Sequence, residues 1–263
     1  MPKPAPRALP ENDGLAYAGE RRTRAAGIPT GVAGQMLGAR NPHGKPNADV
    51  LRQVATAAGP HPPRIHWQVD FSPGMSESEA RLYELPFRQL QRPALPDRPN
   101  WWINPGADVT LRAALARHDR YLVTPPGIGP PAFWWLESCI IPDDTLLAVA
   151  RDDDFAHGVL QARPFALLWR RFQAPRVAAL AISTYPFPWP PVTRLSALSK
   201  SQEEHRHAVA RAARGAGTGP LDSAVSAAYG WPPDLTDAEL LTRLLVLHHQ
   251  RAGANTAAIA REP

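Results

Sequence analysis

The sequence predicts an α+β (mixed α/β) fold, and three observations support this prediction. Short apolar or alternating runs at 65–71, 120–124, 132–137 and 145–150 are typical of strands. Helical patterns lie between and after these runs. Proline accounts for 31 of the 263 residues, so much of the chain must form turns and connections. Strands with interspersed helices predict a mixed domain.

The first elements are a strand and two helices. Residues 65–71 alternate between apolar and polar side chains, as a half-buried strand does. Ser76 and Glu79 form a capping box that starts a helix, which Pro86 is expected to interrupt or kink. Asp108 opens a second helix that runs to about His118.

The middle of the chain is predicted to change from strand to loop to helix. Residues 145–150 form a buried strand, and a charged loop that ends in a glycine follows from Arg151 to Gly158. Pro164 suits the first position of a helix that contains Arg170 and Arg171. The apolar face of that helix consists of Phe165, Leu168, Trp169 and Phe172.

The C-terminal part is predicted to be helical. Helices are expected over residues 195–214 and 221–228, with a Gly-rich linker at 215–219 between them. Thr236 and Glu239 form a second capping box, which starts the last helix. The sequence thus predicts a disordered tail at 1–10, a mixed domain at 11–193 and a C-terminal helical segment at 194–263.

The charge balance permits nucleic-acid binding. The net charge is +5, and 26 of the 29 basic residues are arginines. Arginine has a planar fork of donors that matches phosphate and the O6/N7 edge of guanine. A chain rich in Arg, Ala and Pro is also what a GC-rich genome produces, so charge alone leaves DNA binding open.

Several function classes are disfavoured. No apolar run approaches the roughly 20 residues of a membrane span, and the N-terminus lacks the apolar core of a signal peptide, so a cytoplasmic protein is expected. The single cysteine, Cys139, excludes an internal disulfide and is expected to be a small core residue. The acidic run Asp152–Asp154 is either a solvated turn or, less in keeping with its spacing, a metal site.

A series of short motifs follows one order along the chain from about residue 9 to residue 251. These motifs are Asn12 to Gly19, Asn41 to Arg52, Asp70-Phe71, Met75 to Phe87, Trp101-Trp102, Arg120 to Pro125, Ala150 to Trp169, Tyr185 to Pro191 and Ala228 to Asp237. Together they resemble the target recognition region of the adenine-specific DNA methyltransferases of single-chain type II (type IIL) restriction–modification enzymes and their relatives in phage defence. The resemblance implies that residues 11–193 are a target recognition domain whose partner is double-stranded DNA.

The sequence departs from this family at two places. After Thr124-Pro125 the family has a basic stretch, whereas this chain has the Gly/Pro-rich segment 126–131. Before Tyr185 the family has a Thr-rich run, whereas residues 176–184 are mostly apolar. We therefore expect two DNA-contacting loops to be blunted.

The family's catalytic motif is missing. Amino-methyltransferases carry Asp/Asn/Ser-Pro-Pro-aromatic, which holds the flipped base. The Pro-Pro pairs that follow Thr124, Trp189 and Trp231 do not fit this pattern. The resemblance thus implies a specificity subunit or split fragment that is not catalytic by itself. It would hold no cofactor, and a separate catalytic subunit would supply S-adenosylmethionine for N6-adenine methylation.

Nine residues are predicted to contact DNA, through phosphates or base edges. They are Lys45, Arg120, Thr124, Arg151, His157, Gln161, Arg163, Arg170 and Arg171. Arg151 has an alternative role, which is to pair with the neighbouring aspartates. Two other hypotheses stay open: a degenerate remnant that binds a protein partner without reading DNA, and a complete methyltransferase, which the missing motif disfavours.

Overall fold

The computed structural model describes residues 7–21, 27–91, 99–127, 129–171, 178–215 and 217–259. The chain divides into two compact units. Unit 1 contains the described residues of Met1–Tyr17, His118–Trp135 and Leu147–Pro263, and unit 2 those of Ala18–Arg117 and Leu136–Leu146. These units are defined by compactness, and the functional division into 11–193 and 194–263 stays a prediction.

The fold is α+β with a helical C-terminal segment, as predicted. The strands are β1 (Ala16–Ala18), β2 (Leu51–Ala58), β3 (His61–Val69), β4 (Arg120–Thr124), β5 (Trp134–Glu137), β6 (Ile140–Pro142) and β7 (Leu147–Val149). The helices are α1 (Thr30–Gly38), α2 (Glu77–Arg81), α3 (Glu84–Gln91), α4 (Val109–Leu115), α5 (Asp154–Gln161), α6 (Arg163–Trp169), α7 (Ala178–Ser183), α8 (Lys200–Ala213), α9 (Thr218–Ala228) and α10 (Asp237–Ile259).

A four-stranded sheet with the order β1-β7-β4-β5 supports unit 1. Strands β4 and β7 are antiparallel, and Leu122 lies opposite Val149. Both strands are apolar because both of their faces are covered. The core beside them is rich in aromatic side chains, and Phe165, Trp169 and Tyr185 are almost completely buried.

The predicted loop from Arg151 to Gly158 is wrong beyond Asp153. Helix α5 begins there because Asp153 is its N-cap, and its Oδ1 accepts a hydrogen bond of 2.8 Å from the Ala156 N–H. Gly158 does not end a loop. A Cβ at this position would lie 2.8 Å from Val209 Cγ1, so glycine allows α5 and α8 to pack closely.

The helix predicted from Pro164 is confirmed as α6, with Phe165, Leu168 and Trp169 buried. Its end corrects one detail of the prediction. The helix stops at Trp169, so Arg170 and Arg171 lie just beyond it rather than within it. Phe172 lies outside the described residues.

Helix α7 replaces one of the two loops that the sequence predicts to contact DNA. Ala181 and Ile182 are completely buried, and Thr184 is buried behind them. The Thr184 hydroxyl donates a hydrogen bond of 2.6 Å to the Leu180 carbonyl. The apolar residues of 178–184 therefore reflect a core helix, while residues 176 and 177 lie outside the described part.

The N-terminal prediction is corrected at residues 7–10. Leu9 is 1% exposed, and its N–H donates to the Ser183 carbonyl at 2.8 Å. A short 3-10 helix, Pro10–Asn12, follows directly. The predicted disordered tail at residues 1–6 lies outside the described residues.

Unit 2 is built on a three-stranded sheet with the order β3-β2-β6. Strands β2 and β3 form a long antiparallel hairpin, and β6 pairs with β2 in parallel. The predicted strand at 65–71 is found within β3, while its partner β2 was not predicted. Helices α2 and α4 begin as predicted, at the capping box of Ser76 and Glu79 and at the N-cap Asp108.

The C-terminal helices α8, α9 and α10 belong to unit 1. The predicted capping box of Thr236 and Glu239 is present at the start of α10. The predicted linker at 215–219 is shorter than expected, because α9 already begins at Thr218. In the described parts of the chain, no helix is long and apolar enough to cross a bilayer.

Candidate nucleic-acid interface

Three of the predicted DNA-binding residues meet around Trp135 in unit 1. The guanidinium of Arg120 lies over the Trp135 ring, 3.9 Å from its centroid. The His157 ring lies on the same tryptophan at a centroid distance of 5.1 Å. Gln161, one helical turn beyond His157, contacts the imidazole at 2.7 Å. Arginine and aromatic groups stacked in this way are common where proteins hold bases and phosphates.

The hydrogen bonds of His157 define how the Gln161 amide is oriented. Burial lowers the pKa of His157, so the ring is neutral at pH 7 although its hydrogen bond to the Phe133 backbone acts in the opposite direction. A neutral ring that donates to the Phe133 carbonyl accepts at its other nitrogen. The Gln161 amide group must therefore donate to His157 Nε2, which leaves its carbonyl oxygen for another partner.

The acidic run before α5 is paired with cations rather than solvated alone. Asp154 accepts from Arg120 Nη2 at 2.8 Å and lies 3.4 Å from Arg214 Nε. Asp152 Oδ2 lies 3.0 Å from His118 Nδ1. Within the described residues there is no group of three His, Cys, Asp or Glu side chains that could hold a metal ion. Ion pairing thus replaces both of the alternatives considered for Asp152–Asp154.

Arg151 has the alternative role that the sequence allowed. Its Nη2 lies 2.6 Å from Asp153 Oδ2, and its Nη1 donates to the Pro191 carbonyl at 2.5 Å. The side chain thus ties the N-terminus of α5 to the Pro-rich segment around residue 190. This geometry favours a positioning role for Arg151 over a direct contact with DNA.

Thr124 lies at the end of β4 and is completely buried. Its hydroxyl has no hydrogen-bond partner among the described residues. A side chain without exposed surface does not contact DNA directly, so the burial argues against the role predicted for Thr124.

Arg163 anchors α6 to the last helix. Its Nε donates to Asp237 Oδ1 at 2.8 Å, its Nη2 pairs with the same oxygen, and its Nη1 donates to the Leu235 carbonyl at 3.0 Å. Its backbone N–H donates to Asp222 at 2.8 Å. With its donors engaged by unit 1 itself, Arg163 is better suited to hold the C-terminal helices than to bind phosphate.

We therefore expect Arg163→Ala to lower the free energy of unfolding by about 1 kcal/mol while DNA affinity stays unchanged. Urea unfolding measures the first quantity, and a duplex titration measures the second. Asp237→Ala should give a similar loss, and the double variant should lose less than the sum of the two. A reduced salt dependence of DNA binding in Arg163→Ala would instead support the DNA role predicted from the sequence.

Lys45, Arg170 and Arg171 are the predicted residues that remain exposed and without an ion pair in the described parts of the chain. Arg170 and Arg171 are adjacent at the end of α6 in unit 1, and Lys45 belongs to a loop of unit 2. The asparagines of that loop face inward. Asn41 donates to Asn47 at 2.8 Å, and Asn47 donates to the Met36 carbonyl at 2.7 Å, so both serve turn formation.

Two residues differ from or add to the sequence prediction. Cys139 is exposed at a two-residue turn between β5 and β6, on the wall of a cavity of about 390 Å³ in unit 2, so the prediction that it is buried is wrong. Trp135, the centre of the Arg120 cluster, was not predicted as a site residue. The alternation of β5 indicates a strand, but it does not indicate which ring contacts a distant cation.

With this geometry established, the structure can be compared with known ones. The chain shares its fold with part of a type IIL restriction–modification enzyme. The similar structure is that of MmeI in complex with DNA, with a TM-score of 0.59 and 14% sequence identity. The match covers 95% of this chain and 37% of the MmeI chain, so this chain spans little more than a third of that enzyme. At this identity the likeness shows the fold alone. No family model and no curated protein matches the chain.

Proposed function

We propose that this chain is the DNA target-recognition subunit, or a split fragment, of an N6-adenine methyltransferase of the restriction–modification or phage-defence type. It binds double-stranded DNA and is not catalytic by itself. A separate catalytic subunit supplies S-adenosylmethionine and methyl transfer. The observation that carries the proposal is the fold match of 95% of this chain to part of a type IIL enzyme, MmeI, whose structure contains DNA.

The charges of unit 1 support a phosphate contact at the end of α6. Arg170 and Arg171 are exposed, adjacent and free of carboxylate partners in the described residues. Arginine binds phosphate through paired donors, and each neutralised phosphate releases counterions. In the proposed complex these two arginines contact the phosphate backbone, while the Arg120, His157 and Gln161 cluster around Trp135 offers donors and acceptors to a base edge.

A protein-interaction module without DNA reading is the alternative function. It is favoured by one group of observations, namely that Arg151 and Arg163 are engaged by partners within unit 1. The Gly/Pro-rich sequence after Thr124 also offers few side-chain donors. Under this alternative the fold is kept for docking, and the exposed arginines have no DNA to contact.

A double variant, Arg170→Ala with Arg171→Ala, separates the two functions. If both arginines contact phosphates, the affinity for random-sequence duplex DNA should fall by about ten- to a hundredfold at low salt. The slope of log K against log salt should fall in magnitude by about 1.8, or 0.9 for each lost contact. Fluorescence-anisotropy titrations between about 50 and 200 mM salt measure both quantities.

Arg88→Ala is the matched control for this experiment. Arg88 is an exposed helical arginine whose side chain is 68% exposed, and it lies 3.6 Å from Glu84. We expect its removal to leave affinity and slope near the wild-type values. Wild-type binding without a salt dependence, or a double variant that equals the wild type, would contradict the phosphate role. Calorimetric titration with S-adenosylmethionine is expected to show no binding by the isolated chain, and measurable binding would contradict the assignment of the cofactor to a partner.

A further inference from the structure

We propose that the tip of the β2–β3 hairpin in unit 2 is a second DNA contact, made through Arg64 and His61. The hairpin is not among the residues that the sequence predicts to bind DNA. This inference rests on the proposed function and adds a named contact surface to it. Its support comes from the shape, exposure and charge of the hairpin.

The hairpin extends beyond the part of the sheet that is covered. Strands β2 and β3 are the longest in the described chain and are joined by Gly59 and Pro60 alone. Gly59 has φ +67°, a left-handed conformation that glycine adopts without strain. Burial falls along β3 from Val69, which is 4% exposed, to Arg64 and His61, which are exposed. The five residues from His61 to Ile65 thus form about 16 Å of exposed strand.

The charge of the hairpin suits an anionic partner. Residues 51–69 contain two arginines and two histidines and no acidic residue. In the parts of the chain that the structure describes, Arg64 has no carboxylate partner and no hydrogen bond. Arg52, at the other end of the hairpin, donates instead to the carbonyls of Ala48 and Asp49 at 2.7 and 2.9 Å. The free positive charge of the hairpin is therefore concentrated near its tip.

The edge of β3 is unsuited to pairing with a strand of another protein. Pro62 and Pro63 have no backbone N–H, so the exposed edge lacks donors where it is most accessible. At the base of the strand, Ile28 already pairs with Trp67. Proline and a charged residue on an exposed edge are features by which proteins avoid such pairing. The accessible chemistry of the tip is thus that of its side chains.

Duplex DNA fits both the dimensions and the chemistry of this tip. The two strands of a ribbon lie about 4.8 Å apart, and the major groove, about 12 Å wide, admits a two-stranded ribbon. Arg64 lies opposite Thr56 in the antiparallel register, so the two positions share one face of the ribbon. An arginine carried on such a ribbon reaches either a phosphate or a base edge, and in both cases its charge is paired by DNA rather than by the protein.

The test is a duplex titration of the full chain with Arg64→Ala, Arg64→Lys and the control Arg88→Ala. Arg64→Ala should weaken binding roughly three- to tenfold and lower the magnitude of the salt slope by about 0.9. Arg64→Lys keeps the charge and should retain most of the slope. Arg88 belongs to the same unit and is equally accessible, so Arg88→Ala should resemble the wild type.

The outcomes separate this inference from the function on which it rests. If the wild type binds and the Arg170/Arg171 double variant loses affinity while Arg64→Ala does not, the hairpin contact is wrong and the proposed function stands. If the wild type fails to bind duplex DNA at about 50 mM salt, both are overturned. A slope that decreases with Arg64→Ala but not with Arg88→Ala supports the hairpin contact.

Discussion

Replacing Arg112 with alanine is expected to lower the free energy of unfolding by about 3–5 kcal/mol. Arg112 lies on α4 in unit 2 and pairs with two carboxylates. Its Nε donates to Glu20 at 2.5 Å, and its Nη1 donates to Asp70 at 2.6 Å. The side chains of Glu20 and Asp70 are only 4% and 3% exposed, so the arginine balances charges that water cannot reach.

The size of this effect follows from the charges that the substitution leaves behind. Burial by itself lowers the pKa of Arg112, but the hydrogen bonds to Glu20 and Asp70 outweigh it and raise the pKa above the ordinary arginine value. The guanidinium therefore stays charged at every pH at which the protein folds. Without it, two buried carboxylates lie near each other with no cation, and breaking a buried pair on one side costs far more than the pair contributes.

Urea unfolding of Arg112→Ala measures this loss, with Arg81→Ala as the control. Arg81 pairs with Glu77 on the surface, where an exposed pair contributes less than about 1 kcal/mol. Adding Glu20→Gln and Asp70→Asn to Arg112→Ala should recover part of the stability, because the amides remove the uncompensated charges. A loss below about 1 kcal/mol in Arg112→Ala would mean that water reaches the two carboxylates.

The parts of the fold that the sequence predicts well depend on neighbouring residues. Ser76, Asp108 and Thr236 were recognised as caps because a capping hydrogen bond joins residues two or three positions apart. Asp153 has the same role in α5, yet it was missed. It stands within a run of three aspartates, and a charge run reads as a solvated loop when its cations are not adjacent in sequence.

The candidate site was harder to predict because its contacts are remote along the chain. Arg163 and Asp237 are 74 positions apart, and Arg120 and Asp154 are 34 apart. A sequence pattern identifies an arginine but does not identify the carboxylate that engages it. The sequence therefore nominated nine DNA contacts without distinguishing arginines held within the protein, such as Arg151 and Arg163, from exposed ones, such as Arg170.

The motif that begins at Asn12 shows how a resemblance acquires a physical reason. Gly14 has φ +68°, which favours glycine. A Cβ on Gly19 would lie 2.0 Å from the Asp143 carbonyl oxygen, so no larger residue fits without a backbone shift. Asn12 itself is 2% exposed, and its amide group donates to the carbonyls of Ile182 and Tyr185 at 3.1 and 2.8 Å. The motif thus holds the N-terminal segment against the end of α7.

Replacing Asn12 with aspartate is accordingly expected to destabilise the protein by about 3 kcal/mol or more at pH 7. The substitution keeps the shape of the side chain and exchanges a donor group for a negative oxygen. The nearest polar atoms are carbonyl oxygens, including that of Ser183 at 3.2 Å from the amide nitrogen. Asn12→Ala removes the donor without adding charge, and it should lose only about 1–3 kcal/mol.

The pH dependence of this loss tests its cause. The carbonyl oxygens and burial disfavour the charged form of the introduced carboxyl, so its pKa in the folded state is raised above the unfolded value of about 3.9. A group with a raised folded pKa destabilises most above that pKa, and the loss diminishes as the pH falls toward the unfolded value. Thermal unfolding of Asn12→Asp should therefore approach that of the wild type at acid pH, whereas Asn12→Ala shows a constant difference. Gln250→Glu makes the same change at an exposed position and should have little effect. If Asn12→Asp and Asn12→Ala lose the same stability at every pH, water rather than Asn12 satisfies these carbonyls.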